Sequence, residues 1–546
     1  MKKTTFSVLF LMAAFLIGNI SITNAQKIIE PNVGYINEII KGDTSATGAH
    51  LNTTYIFKRG ATYYYNGDIQ NVGYAITLKA EDGTGPLPMI VNWPDANASL
   101  NRFITSKDDA YLYNLMIDGM GPNTTTGDPD PYYVMNGQLL NANTAGKVLV
   151  VDGCILLDAG QVIIRSNSGA AKVQVTNSVL GNCGQMCADN IGNGRIIDHR
   201  NGVTDTVIFK NCTFINTYDR IIRHYGAAAN TTTAFVKRFE VDHNTVVHNL
   251  GAYGFIMLGD IQGSAKITNN LFYNPMTLGY EPVADQQRLA EVKLIGEMDS
   301  TGTPTLPLII DQPNTNSSPT FQINNNVIAF DSQVKNYFST NNVQYNPVLS
   351  KRIEGLNGNR VAAVKADITL KKIPANMMNI MSWYHPLAVA TLGGGMITDN
   401  KMDMDRRSRL FWRDSLDCSY AATVAAFKGD DNNPVGSNVW KSTVTAVKGE
   451  NSIPTEFSLS NNYPNPFNPS TKIQFSVPVK SNVTITVFNA LGQEVARMIQ
   501  NDLSAGGHDV TFNASSLSSG IYIYSMTASG VDGRSFTASQ KMMLIK

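Results

Sequence analysis

The sequence predicts an all-β chain, a solenoid of short parallel strands followed by a small β-sandwich. Three observations carry that expectation. A phrase of alternating apolar residues that runs into an Asn and out into another short strand recurs through the middle of the chain; a second apolar phrase precedes each copy; and from Ile453 onward the text switches to alternating strands separated by turn signals.

The first phrase appears as KVQVTNSVLGN, TVIFKNCTFIN, RFEVDHNTVVHN and AKITNNLFYN, which sets Asn177, Asn211, Asn244 and Asn270 in register at intervals of 34, 33 and 26 residues. Weaker copies surround Asn114, Gly153 and Asn326. The second phrase is VIIRS at 162–166, RIIDH at 195–199, RIIRH at 220–224 and GFIML at 254–258. A unit of two short strands cannot bury its apolar face alone, so successive units stack and share one core. Asn suits the turn because it tolerates the left-handed conformation and its amide can bond the same residue one coil away. Period-two alternation at 173–176 excludes a helical solenoid. A propeller would need four strands in about 40 residues and a Trp-Asp signature, and neither is evident.

This pattern, over roughly Ala110 to Asn346, resembles the pectate-lyase-like right-handed parallel β-helix superfamily, in which asparagine ladders at one turn are common. The resemblance implies a right-handed parallel β-helix and a polysaccharide as partner.

At 546 residues the chain is long enough for two or three domains. Residues 1–25 have Lys2 and Lys3, an apolar stretch from Val8 to Ile17 and a small-residue exit at Thr23 and Ala25, the pattern of a signal peptide cut before Gln26. That stretch is too short to span a bilayer and no later segment reaches about 18 apolar residues, so no transmembrane helix is expected in the mature chain. Residues 26–109 form an N-terminal cap and early coils, 110–346 the β-helix, 347–452 a C-terminal cap and linker, and 453–546 the tail. Within 282–318 the register is lost, and QQRLAEVKLIGEM there suggests a helical or loop insertion. The region after Asn346 holds the basic, Met-rich KMDMDRRSRLFWRD and then DDNNPVGSNVW at 430–440.

Charged residues are 16% of the chain, 43 basic against 43 acidic, and loss of the leader leaves 41 basic. Without a polybasic surface, a nucleic-acid partner is not expected. Five cysteines, an odd number in an oxidising export route, leave at least one unpaired. Cys183 and Cys187 share a loop and could bridge, while Cys154 and Cys212 occupy one repeat position and pack as small apolar side chains. No His stands at zinc-ligand spacing from the Cys pair.

In the tail, Ile473, Phe475 and Val477, then Val483, Ile485 and Val487, then Tyr522, Tyr524 and Met526 mark three alternating strands of a small Ig-like sandwich. Its wording resembles the type A sorting domain of the type IX secretion system of Bacteroidetes. Asn465, Pro466, Phe467 and Asn468, Asn489, Leu491 and Gly492, Gly520, Ile521 and Tyr522, and Lys546 stand where that family's motifs stand. The resemblance implies recognition by the type IX translocon after passage through the periplasm, removal of the tail, and a cargo released or attached to the cell surface, here expected as a monomer. The stretch at 430–440 is similar to the closing segment of secreted β-helix proteins with such tails.

Chemistry is expected on the second phrase. Its alignment stacks Arg165, Asp198, Arg223 and Met257 about 4.8 Å apart, with Ser166, His199, His224 and Leu258 beside them and Arg195 and Arg220 at the border. Insertions at 182–194 and 225–238 would rise as walls. A uronate lyase needs a cation on the sugar carboxylate and a base for the neighbouring proton. Arg223, or a metal held by Asp198, could supply the first, and His224, His199 or Tyr225 the second. The competing reading is a salt-bridge ladder on a solvated strand, and which residues point outward is left open by the sequence. A hydrolase would need two carboxylic acids about 5–9.5 Å apart; Asp189, Asp198, Asp205, Asp219, Glu240 and Asp242 supply candidates but no motif. VDHNTV at 241–246 reads as a structural turn, and His50, His243, His248, His385 and His508 receive no role. No phosphate-binding glycine motif is present. Ca²⁺ is the cofactor left open, from the Asp and Asn oxygens at the turns. Three classes stand: a polysaccharide lyase or hydrolase, a non-catalytic glycan-binding protein, and a structural or adhesive surface protein.

Overall fold

In each coil, alternating Val, Ile, Leu and Phe residues drive three short strands against a shared interior. Around Asn177 these are Ala170–Thr176, Val179–Cys183 and Arg195–His199, and each pairs in parallel with its counterpart in the next coil. The Asn phrase therefore contributes a strand on either side of its turn, and the repeating unit has three strands where the sequence suggested two. The computed structural model describes residues 25–121, 134–135, 137–184, 194–224, 235–251, 255–277, 308–311, 318–341, 348–375, 377–378, 416–421, 428–440, 457–459, 467–489 and 491–544, with single residues at 300 and 462. The leader's first 24 residues, QQRLAEVKLIGEM, KMDMDRRSRLFWRD, Cys187, Asp189, Tyr225 and His385 lie outside the described residues.

Stacking yields three parallel sheets, the architecture of a right-handed parallel β-helix. The first sheet has ten strands, from Gln26–Ile29 to Thr320–Asn324; the second has ten, from Thr62–Tyr65 to Val364–Lys365; the third has seven, from Ile104–Ser106 to Ile309–Asp311. Residues 235–238 belong to a first-sheet strand, and Asn182 and Cys183 end a second-sheet strand, so both expected insertions are shorter than the sequence suggested. Val175, Phe209, Val241 and Ile267 from the first sheet meet Leu180, Phe214, Val246 and Phe272 from the second and Ile164, Ile197, Ile222 and Ile256 from the third in one core. Each such side chain contributes about 1.5–3 kcal/mol on burial. Cys154 and Cys212 are buried in this core.

The Asn register needs correction. The left-handed slot between the first two sheets is filled by Asn114, Gly153, Asn177, Asn211, His243, Asn269 and Asn325, with φ between 50° and 64°. Asn244 and Asn270 stand one residue further on. There, with Asn326, they form a separate buried ladder in which Asn244 Nδ2 donates to Asn270 Oδ1 at 3.0 Å and Asn270 Nδ2 to Asn326 Oδ1 at 2.9 Å. The C-terminal ends of the second-sheet strands carry their own left-handed slot, held by Asp158, Asn182, Asn216, His248 and Asn274. Asn216 Nδ2 donates to Asn182 Oδ1 at 3.1 Å there.

Helix Ser332–Thr340, capped by Asp331 accepting from the Val334 N–H at 2.8 Å, and helix Lys351–Asn357 lie between the second-sheet strands Val327–Ala329 and Val364–Lys365. Ile368, Leu370, Cys418 and Val435 from the C-terminal region cover the outer apolar face of the second sheet at Leu157, Ile215, Val247 and Leu271.

The tail belongs to a second unit, 443–546. A three-stranded sheet (Ser458–Leu459, Ser470–Val477, Gly506–Asn513) and a four-stranded sheet (Glu494–Leu503, Ser481–Phe488, Gly520–Gly530, Ser535–Leu544), both antiparallel, enclose its core. All nine residues of the three alternating triplets are buried there. Phe467 is buried as well, and its N–H donates to the Met543 carbonyl at 2.9 Å, which ties this residue to the last strand, while Asn465, Pro466 and Lys546 lie outside the described residues. Among the described residues no helix is long and apolar enough to cross a membrane.

Candidate functional site on the third sheet

The third sheet brings the charged ladder together. Its pairing sets Thr105, Asn141, Arg165, Asp198, Arg223 and Met257 in one row, and Ser106, Ala142, Ser166, His199 and His224 in the next. Ala142 lies in the main core, as does Leu258, which follows Met257. Because side chains alternate across a strand, the second row points inward and the Arg–Asp–Arg row outward. Arg223 and His224 therefore face opposite sides of their strand and do not converge in a cleft.

Asp198 is the hub of the outer row. Its carboxylate accepts from Arg223 Nε and Nη2, each at 2.9 Å, from Arg200 Nε at 2.9 Å and from Arg165 Nη2 at 3.3 Å, with Arg195 Nη1 at 4.0 Å. Burial pushes this carboxyl up, but Arg223, Arg195 and Arg200 outweigh burial and hold it well below the usual carboxylate range. Arg195 also pairs with Asp219 at 2.8 Å, and Arg220 stands 3.9 Å from Asp219 and touches the Met257 sulfur. Two coils before Arg165, Arg102 and Thr105 share Asp68 at 3.0 and 2.9 Å.

Arg165 differs from Arg223. It spends one nitrogen on Asp198, and its Nε has no hydrogen-bond partner among the described residues. Burial lowers its pKa, Asp198 partly restores it, and the charges of Arg200, Arg223 and Arg102 lower it again. Three guanidiniums thus press on a fourth that is only 9% exposed. The Arg102 and Arg200 side chains, 38% and 37% exposed, open this cluster to solvent. Sequence reasoning missed both. Arg200 directly follows RIIDH, and Arg102 stands two residues before the strand Ile104–Ser106, whose short text hides its kinship with the repeated phrase.

The His pair is internal. His199 and His224 rings lie 4.7 Å apart, and both side chains are buried. Burial brings His199 down to about 4 against weaker upward pulls from the Gly202 backbone and Asp198, and burial with the neighbouring His199 sets His224 well below its ordinary value. His199 approaches Thr204 Oγ1 at 3.4 Å, while neither His224 nitrogen has a hydrogen-bond partner among the described residues. Both rings are neutral at pH 7 and fill the solenoid interior. Of the carboxylates considered for hydrolysis, Asp205, Glu240 and Asp242 are on first-sheet strands, apart from Asp198. No group of three or more His, Cys, Asp or Glu side chains among the described residues could hold a metal ion.

Residues 461–536 match the family model described as the secretion system C-terminal sorting domain. The tail is a type IX secretion sorting domain. The protein is accordingly secreted or attached to the cell surface, and the solenoid is the cargo that the sorting domain addresses. The matched stretch contains the buried triplets and Phe467, and of the described motif residues Phe467 and Tyr522 are part of the sorting domain's core. No curated protein matches the chain.

Proposed function

We propose that the cargo is a β-helix that holds an acidic polysaccharide outside the cell along the outer face of its third sheet, near Arg165. The observation that supports this reading is the donor balance. Arg223 meets Asp198 with two nitrogens, whereas Arg165 meets it with one, keeps an unpartnered Nε among the described residues and is crowded by like charges from Arg102, Arg200 and Arg223. A sugar carboxylate would relieve that repulsion and accept charge-assisted bonds from guanidiniums suited to bidentate contact. Coils about 4.8 Å apart give a flat, repetitive face on which a polymer can lie. Export by a leader at the inner membrane and the sorting domain at the outer membrane places that face outside the cell.

The test is binding of pectate, alginate and a glycosaminoglycan, with neutral dextran as control, to the wild type and to an Arg102→Ala/Arg165→Ala/Arg200→Ala variant. Salt-sensitive binding of an acidic polymer that weakens at least tenfold in the variant is expected. Equal binding of dextran, or no binding of any acidic polymer, overturns the reading. Ultraviolet absorbance from unsaturated sugar ends in the same samples would convert the holding role into lyase action, and reducing ends without absorbance into hydrolysis.

A further inference from the structure

The segment 428–440 does not extend the stack of coils. It crosses the left-handed turns of the solenoid instead. The Asp430 carboxylate accepts from the amides of Asn324 and Asn325, and its N–H donates to Asn269 Oδ1 at 3.1 Å. After a loop closed by the Gly429 N–H to the Asn433 carbonyl at 2.7 Å, the Gly436 N–H donates to the Asn269 carbonyl at 2.8 Å and the Ser437 N–H to Thr245 Oγ1 at 2.8 Å. Ser437 Oγ then reaches the Asn211 carbonyl at 3.0 Å, the Asn438 N–H donates to Asn211 Oδ1, and Trp440 Nε1 donates to Thr213 Oγ1. Midway, His243 stands between its neighbour Asp242, 3.2 Å from Nδ1, and Asp431, 3.3 Å from Nε2.

Two further observations mark this as a fitted contact. Gly436 has φ +94°, and a Cβ there would come 2.7 Å from Thr245 Oγ1, so the close approach depends on its having no side chain. Val435 is buried in the apolar cluster outside the second sheet, with Leu271 and Val247.

We propose that residues 428–440 are a clasp that docks on the turns of Asn211, His243, Asn269 and Asn325 and locks these coils to one another. The strands of each coil bond only to adjacent coils, whereas the clasp joins coils that are not adjacent. It also lies at the end of the cargo unit, which closes at Ser442. The clasp thus belongs to the cargo unit. This inference is independent of what the third sheet binds.

Hydrogen–deuterium exchange of the full chain tests it. In the wild type the amides of Gly436, Ser437 and Asn438 should be protected. Gly436→Val should release the segment, so that its amides exchange at least tenfold faster and the turns at Asn211–Thr213, Thr245 and Asn269–Leu271 also accelerate, while Gln26–Asp118 keeps its protection. If Gly436→Val unfolds Gln26–Asp118 as well, Asp431→Asn, which removes the charge facing His243 and an acceptor for the Asn433 amide, is measured against the same two sets of amides. Wild-type clasp amides that exchange as in an unstructured peptide, or turns whose protection survives release of the segment, overturn the proposal.

Discussion

Arg223 meets Asp198 with two of its donors, Nε on one carboxylate oxygen and Nη2 on the other, both at 2.9 Å and both out of solvent. A buried pair of this kind is costly to break from one side, because the remaining charge stays buried. Asp198→Ala should therefore lower unfolding free energy by about 3–5 kcal/mol in urea titration. Arg200→Ala, which removes a partly exposed partner of the same carboxylate, should cost no more than about 1 kcal/mol. Similar small losses for both would show that solvent reaches the pair.

The internal His pair predicts acid lability. A neutral buried imidazole has a folded pKa below its unfolded value, so its contribution is fully present above about 6.5 and is lost as pH falls toward the folded value. For His199, with a folded value of about 4, the loss is on the order of 3 kcal/mol once the group is protonated. His224→Leu copies the residue that follows Met257 one coil on, and should reduce the difference between urea midpoints at pH 7 and pH 5. An unchanged difference would place the acid sensitivity elsewhere.

The two kinds of Asn should respond differently. Asn270 accepts from the Asn244 N–H and amide and donates to the Val241 carbonyl and to Asn326, all within 2.9–3.0 Å. Asn270→Ala strands several buried polar groups at about 1–3 kcal/mol each. Asn177 is a left-handed turn residue with φ 50°, and Asn177→Gly should be close to neutral in the same thermal or urea measurement.

Deleting residues 453–546 should stop export without unfolding the cargo. The solenoid and the sorting domain have separate cores, Ile164 and its neighbours in one and Phe475 and its neighbours in the other. Fractionation should find the truncated protein folded in the periplasm. Normal appearance in the medium would refute the role assigned to the tail.

Much of this was legible because coil length survives in the spacing of the text. The offset between VIIRS and RIIDH set Arg165 on Asp198 and Ser166 on His199, as the pairing has it. Facing was not legible, since RIIDH and RIIRH belong to strands buried on both sides and show no alternation to orient them. The turn register failed at VDHN and ITNN for a related reason. Two adjacent residues could fill the slot, and the chain puts His243 and Asn269 there to leave Asn244 and Asn270 free for the buried ladder. The closing segment at 430–440 was visible as a phrase, but its docking place was not, because the fit of Gly436 depends on Thr245, far away in sequence.

The clasp also decides how the cargo carries load. Its last described contacts, at Asn438 and Trp440, are with the coil of Asn211 and Thr213 and not with the final coil. Tension on the chain beyond Trp440 would thus enter the solenoid part-way along its length and meet bonds distributed over several turns. A surface protein pulled by flow would resist peeling from its end, and force spectroscopy on a Gly436→Val molecule should show coils leaving one at a time at lower force than in the wild type.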